Sequence, residues 1–306
     1  MLNYLLRRIG LSIVVLFGLS VIVFFVLNLS GDPVLLLLPP DAPASEVEAF
    51  RERMGLNEPL PLRYWAFLQQ LVRFDFGQSI QYRVPALELV LERLPHTLSL
   101  AGLAIVIAIL LGVPAGALAA RRRGRFLDAL LSGVAVVGQS TPVFWLAIMA
   151  ILLFSVQLGW LPASGSATWR HYILPSTTLA VFLLGGIVRV TRTSFLEVLS
   201  RPYIRTARSK GLSESIVVWR HALRNAAIPV VTQIALQARY VIGGSVITES
   251  IFSWPGLGRL LVRGVYARDY PVVEAGVFVI AILLIVINTL VDISYTWLNP
   301  RVRLGR

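Results

Sequence analysis

An all-α chain that crosses a lipid bilayer six times is what this sequence encodes, and two features carry that reading. Of its 306 residues, 56% are hydrophobic and only 14% are charged, whereas a soluble domain carries about a quarter charged residues. The deficit is concentrated in long runs. Residues 9–29 (IGLSIVVLFGLSVIVFFVLNL) and 97–120 (TLSLAGLAIVIAILLGVPAGALAA) contain no charge at all. As helices rising roughly 1.5 Å per residue, either run covers the roughly 30 Å hydrocarbon core. Polar and apolar positions do not alternate within them, which excludes a strand barrel.

The elements follow in order. Arg7 and Arg8 precede the first run, but it is too long for the apolar core of a signal peptide. GDP (31–33) follows it in place of a small-residue cleavage site, so residues 1–29 read as a short N-terminus and an uncleaved first span. Residues 30–96 form an insertion between spans. Within it, YWAFLQQLVRF (64–74) has apolar residues at 64, 67, 68, 71 and 74, the spacing of an amphipathic helix. That helix either caps the bundle or offers a docking surface to an outside partner. Residues 97–306 then hold five spans, beginning at 97–120. The next, 129–157, is apolar except for GQSTP (138–142), where a proline kinks a helix or lets its backbone line a cavity. Spans at 173–188, 228–248 and 272–292 complete the set. Gly185–Gly186 and Gly243–Gly244 permit close helix approach.

Six spans put both termini on one side, and the basic residues say which. Seventeen of the 28 lysines and arginines fall in four segments: Arg7–Arg8, RRRGR (121–125), the stretch from Arg189 to Arg224, and the tail NPRVRLGR. The insertion from Ser30 to His96 holds six basic residues against nine acidic ones. This asymmetry predicts cytoplasmic termini and an insertion outside. It also explains the net charge of +12 without nucleic acid as a partner.

The segment 191–227 is therefore cytoplasmic, and it is patterned. Pro202 can open a short helix that carries Arg201, Arg205 and Arg208 on one face. Gly211 breaks it with a sharp turn. Ser213 can cap a second helix, in which Ile216, Trp219, Leu223, Ala226 and Ala227 form an apolar stripe. Such a hairpin either transmits force from a soluble protein to the bundle or lies on anionic membrane lipid.

Here the residues carry a resemblance. YIRTARSKGLSESIVVWRHALRNAAIPVVT (203–232) resembles the cytoplasmic loop of ABC importer permeases of the dipeptide, oligopeptide and nickel type. MGLNEPL (54–60), FGQSI (76–80), RLPHTL (93–98), GVPAG (112–116), ESIFSWPGLGRLL (249–261), ARDYPVV (267–273) and NTLVDISYTWLNPRVR (288–303) extend it over the chain. The resemblance implies the type I importer permease fold in a bacterial inner membrane. It makes the hairpin a coupling helix, with Tyr203, Arg205, Ala207, Lys210, Gly211, Leu212, Ser213 and Glu214 facing an ATPase. Ala207 and Gly211 match the loop motif's alanine and glycine. Arg205 departs from it, standing where many permeases have Glu, as does Arg224, where many have Pro. The implied partners are a homologous second permease, two ABC ATPase subunits that bind ATP and magnesium, and an extracytoplasmic binding protein. Di- or oligopeptides are the first cargo expected, with glutathione, nickel chelates and oligosaccharides as alternatives.

The residues do not make the chain an enzyme. Its only lysine, Lys210, lies between Ser209 and Gly211, so no phosphate loop ending in GK[ST] exists. There is no cysteine, and His96, His171 and His221 are scattered, so no metal or other cofactor is expected in this chain. An intramembrane enzyme and a lipid-binding scaffold remain as alternative classes. Polar groups within spans are costly and tend to face a cavity or a partner. On that ground Gln139, Pro142, Gln233, Gln237, Arg239 and Tyr240 are the expected lining of a translocation path. Gln233, Gln237 and Tyr240 share one helix face, and Arg239 is offset from it.

Overall fold

A computed structural model describes residues 2–29, 43–53 and 57–298. The GDP motif, the first residues of MGLNEPL, the C-terminal tail and the Arg239 side chain lie outside that description. Apart from a single bridge between Gln78 and Pro85, the described residues are helices, turns and loops. The chain divides into two compact units, Met1–Leu94 with Leu260–Val286, and Pro95–Arg259 with Ile287–Leu304.

The first unit is built on α1 (Leu2–Leu29), α2 (Ala44–Arg53) and α3 (Leu60–Val72). Helix α3 is the amphipathic helix expected at 64–74, but it starts four residues earlier and ends two earlier. Phe74 takes a positive φ of 56°, which no helix continues through. Its inward face packs on α1: the Tyr64 and Phe67 rings lie 5.2 and 5.7 Å from Phe24, and Tyr64 Oη is 2.8 Å from Ser20 Oγ. Leu62, Trp65 and Val72 stay exposed on the other side. Loop 75–85 is held by Asp269, whose carboxylate accepts hydrogen bonds from Ser79 Oγ (2.5 Å), Ile80 N (3.1 Å) and Gln81 N (3.2 Å). FGQSI and ARDYPVV, 190 residues apart, are thus one local structure.

The second unit takes most of α4 (Ala86–Arg121), then α5 (Phe126–Ser140) and α6 (Val143–Ala150). Helix α6 widens into a π-helical stretch, Ile151–Gln157. Helix α7 (Arg170–Leu199) runs through its middle. Leu179, Leu183 and Ile187 of α7 share a core with Ala104 and Ala108 of α4 and with Val241 of the helix after the hairpin. The small residues of α4 let the two backbones close up. A Cβ on Gly116, in the GVPAG motif, would sit 2.7 Å from the Val188 carbonyl oxygen.

Among the described residues, four helices are long and apolar enough to cross a bilayer, or six if each of two bent pairs is one span. One pair is α5 and α6, expected as a kinked span. The angle between them is 103°, a full break rather than a kink. Pro142 lacks an N–H and takes extended angles (φ −59°, ψ 131°) at the junction.

Candidate functional site

The hairpin forms as α8 (Pro202–Ser209), a turn, and α9 (Glu214–Ile216). Helix α9 passes without interruption through a π-helical stretch (Val217–Ala222) into α10 (Leu223–Ile251). Pro202 starts α8 as expected, and Gly211 makes the turn with φ +75°, a conformation that favours glycine. Two contacts hold the arms together. Asn225 Nδ2 donates to Tyr203 Oη (2.8 Å), and Arg208 Nε donates to Glu214 Oε1 (2.6 Å). The Arg208 guanidinium holds the Glu214 carboxyl below the usual glutamate range. Both side chains are about half exposed, so the pair is worth less than about 1 kcal/mol.

Ile204, Ala207, Val217, Val218, Ala222 and Ala226 form the base of the hairpin. They pack with Ala117 and Ala120 at the end of α4 and with Phe195 of α7. This corrects two expectations. Ser213 stands at the start of α9, yet its hydroxyl caps nothing, and only its carbonyl accepts, from Val217 N (3.0 Å). The predicted stripe holds at Ala226, which is buried, and at Leu223, which packs on the base, but fails at its start. Ile216 and Trp219 are 41% and 45% exposed, while Val217 and Val218 are buried. Val217–Ala222 is π-helical, so 3.6-residue counting fails across this stretch. The outer face therefore presents Tyr203, Arg205, Lys210, Gly211, Ile216 and Trp219. Ser213 and Glu214 are exposed on it too, whereas Leu212 is partly buried against the base.

Of the residues expected to line a path, three converge on one step of α7. A Cβ on Gly185 would lie 2.5 Å from Gln139 Cβ, and one on Gly186 would strike Gln237 Nε2 and lie 2.8 Å from Gln233 Nε2. Only a diglycine leaves room for these three amides. Gln139 Oε1 accepts from Arg189 Nη2 (2.9 Å). Gln237 Oε1 is buried and has no hydrogen-bond partner among the described residues. Tyr240, on the same helix, is 65% exposed and makes no contact with the diglycine. The second diglycine makes no comparable contact, since Gly243 faces open space.

One polar cluster had no counterpart in the sequence reading. Glu249 is fully buried and accepts from Thr97 Oγ1 (2.7 Å) and Arg259 N (3.0 Å), while Leu257 N donates to Thr97 Oγ1 (2.8 Å). Gly256 and Gly258 lie against the carboxylate so closely that a Cβ on either would clash with it. Trp254, also fully buried, donates from Nε1 to the His96 carbonyl (3.0 Å) and meets Tyr172 edge-on at 4.4 Å. RLPHTL and ESIFSWPGLGRLL are thus two halves of one structure.

Comparison with known proteins is consistent throughout. A family described as binding-protein-dependent transport system inner membrane component matches residues 112–304, and its N-terminal companion matches residues 1–101. The chain is 45% identical over 304 residues to the glutathione transport system permease protein GsiC of Escherichia coli (strain K12), covering 99% of both chains. The GsiC protein of Shigella flexneri serotype 5b matches equally. Among solved structures, the inward-facing MetNI methionine ABC transporter aligns with a TM-score of 0.58 at 19% identity, over 69% of this chain and 96% of that one. An amino acid ABC transporter with histidines aligns at 0.54 and 17%, over 68% and 93%. These two likenesses concern the fold, which is that of an ABC importer permease.

Proposed function

The chain belongs to the family of binding-protein-dependent transport system inner membrane components, and from that premise we propose that it forms half of a translocation path driven by a separate ATPase. Two ATPase subunits, which bind ATP and magnesium, dock on the exposed face of the hairpin. A homologous permease supplies the other half of the path, and an extracytoplasmic binding protein delivers cargo. Both termini are cytoplasmic.

One observation carries this reading. The hairpin has a buried base and an exposed tip, and its second arm runs without a break into α10. A push on Tyr203, Ile216 or Trp219 is therefore passed directly to α4, α7 and α10. Close-packed interiors transmit such displacements because they compress little. ATP binding would close the ATPase pair and move the hairpins as rigid bodies, opening the path outward, and hydrolysis would reset it. The amides of Gln139, Gln233 and Gln237 around Gly185–Gly186, together with Pro142 at the broken span, are the polar surface we assign to the path. Arg239 and Tyr240 would extend it along α10.

The cargo we propose is a small peptide. The 45% identity to a glutathione permease puts that tripeptide first for testing. The experiment is uptake in cells lacking only this chain, with labelled glutathione, dipeptides, longer peptides and a nickel chelate side by side. Loss of glutathione uptake, restored by the intact gene but not by Gly211→Pro, is the expected result. Proline cannot adopt the φ of +75° at that turn. Restoration by Gly211→Pro would remove the hairpin from the coupling role, and loss of a different class would reassign the cargo.

A further inference from the structure

We propose that the groove between α5 and α7 binds the phosphate headgroup and one acyl chain of an anionic phospholipid. The groove has a volume of about 530 Å³, and Arg125, Asp128, Arg189 and Arg192 line it. Its charges do not cancel. Arg192 donates to both oxygens of Asp128, from Nε at 2.6 Å and Nη2 at 2.8 Å, and that carboxylate also accepts from Gly124 N (3.0 Å) and Ser132 Oγ (3.4 Å). The pair is neutral, and its carboxylate oxygens are already occupied. Arg125 is exposed and its guanidinium has no partner among the described residues, while Arg189 gives a single hydrogen bond to Gln139. Two guanidiniums therefore face the groove with donors to spare, the geometry that suits phosphate oxygens.

Apart from Ser132 and Thr193, the rest of the lining carries no polar side chain and includes Val136 and Val188, and Phe126 at its rim is 81% exposed. A free phosphate or carboxylate would satisfy the arginines and leave that surface wet. An amphiphile with an anionic head satisfies both. Position agrees with chemistry: Arg121, Arg122, Arg123 and Arg125 precede α5, at the level where the proposed topology puts the anionic cytoplasmic leaflet, and the inference rests on that topology. Basic pockets between spans on that side suit such headgroups.

The test uses the complex that co-purifies with the full-length chain, in nanodiscs of phosphatidylcholine and phosphatidylglycerol, with retained lipid read by native mass spectrometry. Both leaflets of a nanodisc have the same composition, so headgroup preference is read whatever the orientation. Labelling of Arg123→Cys from one side of sealed vesicles reads the topology separately. The chain should retain phosphatidylglycerol preferentially. Arg125→Gln should lower retention roughly five-fold, and Arg125→Gln with Arg189→Gln roughly twenty-five-fold. Arg83→Gln, on an exposed loop, should change nothing. The single variant removes a side chain with no protein partner, so misfolding cannot explain its effect. Equal retention of both lipids, unchanged retention in Arg125→Gln, or displacement of the lipid by an equal concentration of inorganic phosphate would each overturn the proposal.

Discussion

Glu249 shows what a single buried carboxylate does in this chain. It has no exposed surface, and its hydrogen bonds come from Thr97, 152 residues away, and from the backbone at Arg259. Removing one partner leaves the group desolvated and short of a donor, which costs about 1–3 kcal/mol. Thr97→Val also strips Leu257 N of its acceptor, so it should lower the thermal unfolding midpoint in detergent by more than Thr97→Ser, which keeps the hydroxyl. Equal midpoints for the two variants would mean that the carboxylate finds another donor. Gly258→Ala should be at least as damaging, because its Cβ would meet the Val246 backbone at 2.7 Å, which cannot rotate away. The sequence reading found both motifs in this cluster and missed their purpose. Little local to Glu249 marks it as buried, since Thr97, which ties its motif to RLPHTL, comes from another helix.

At the level of elements, the hairpin separates packing from docking one residue at a time. Val218 is 1% exposed and sits in the base, whereas Trp219 is 45% exposed. Val218→Ala should destabilise the chain by about 1–2 kcal/mol. Trp219→Ala should leave stability within about 0.5 kcal/mol but reduce the ATPase subunits recovered with the chain. Recovery that falls only with Val218→Ala would shift the docking surface elsewhere. The Arg208–Glu214 pair adds a pH prediction. Because the folded carboxyl is held below its ordinary range, the pair is fully formed above the unfolded value and is lost only as pH falls through the lower folded one. This pair should therefore give ATPase recovery no pH dependence between about pH 6 and 8, and Glu214→Gln, which lacks the pair at every pH, should match the wild type at acid pH only. Proline, glycine and arginine positions in this hairpin were legible because each acts through its own backbone or charge. The start of the buried stripe was not, because the π-helical stretch alters the period on which such reading depends. The diglycine at 185–186 was legible as a close approach, but its amide partners come from α5 and α10, which one sequence cannot bring together.

For the molecule as a whole, the decisive quantity is the sidedness of its charge. Spans were legible from apolar length alone. The interruption at Pro142 was legible, as a kink or a cavity-lining backbone, but its angle was not, since a proline fixes one φ and not the direction of the helix that follows. Sidedness rests on 17 of 28 basic residues in four segments against an acidic excess in the insertion, and basic residues resist transfer across the membrane. The chain has no cysteine, so single cysteines report on themselves. Lys210→Cys, in the exposed turn of the hairpin, should react with an impermeant maleimide only after the cytoplasmic side is opened. Trp65→Cys, on the exposed face of α3, should react in intact cells. Both substitutions alter exposed side chains, so neither should disturb the packing that orients the chain. The reverse pattern would invert the topology, place the hairpin out of reach of any cytoplasmic ATPase, and remove the coupling role with it. Reaction of both sites from one side would mean that an even number of crossings lies between them, and the bent pair α5 and α6, at 103°, would then enter and leave by the same face.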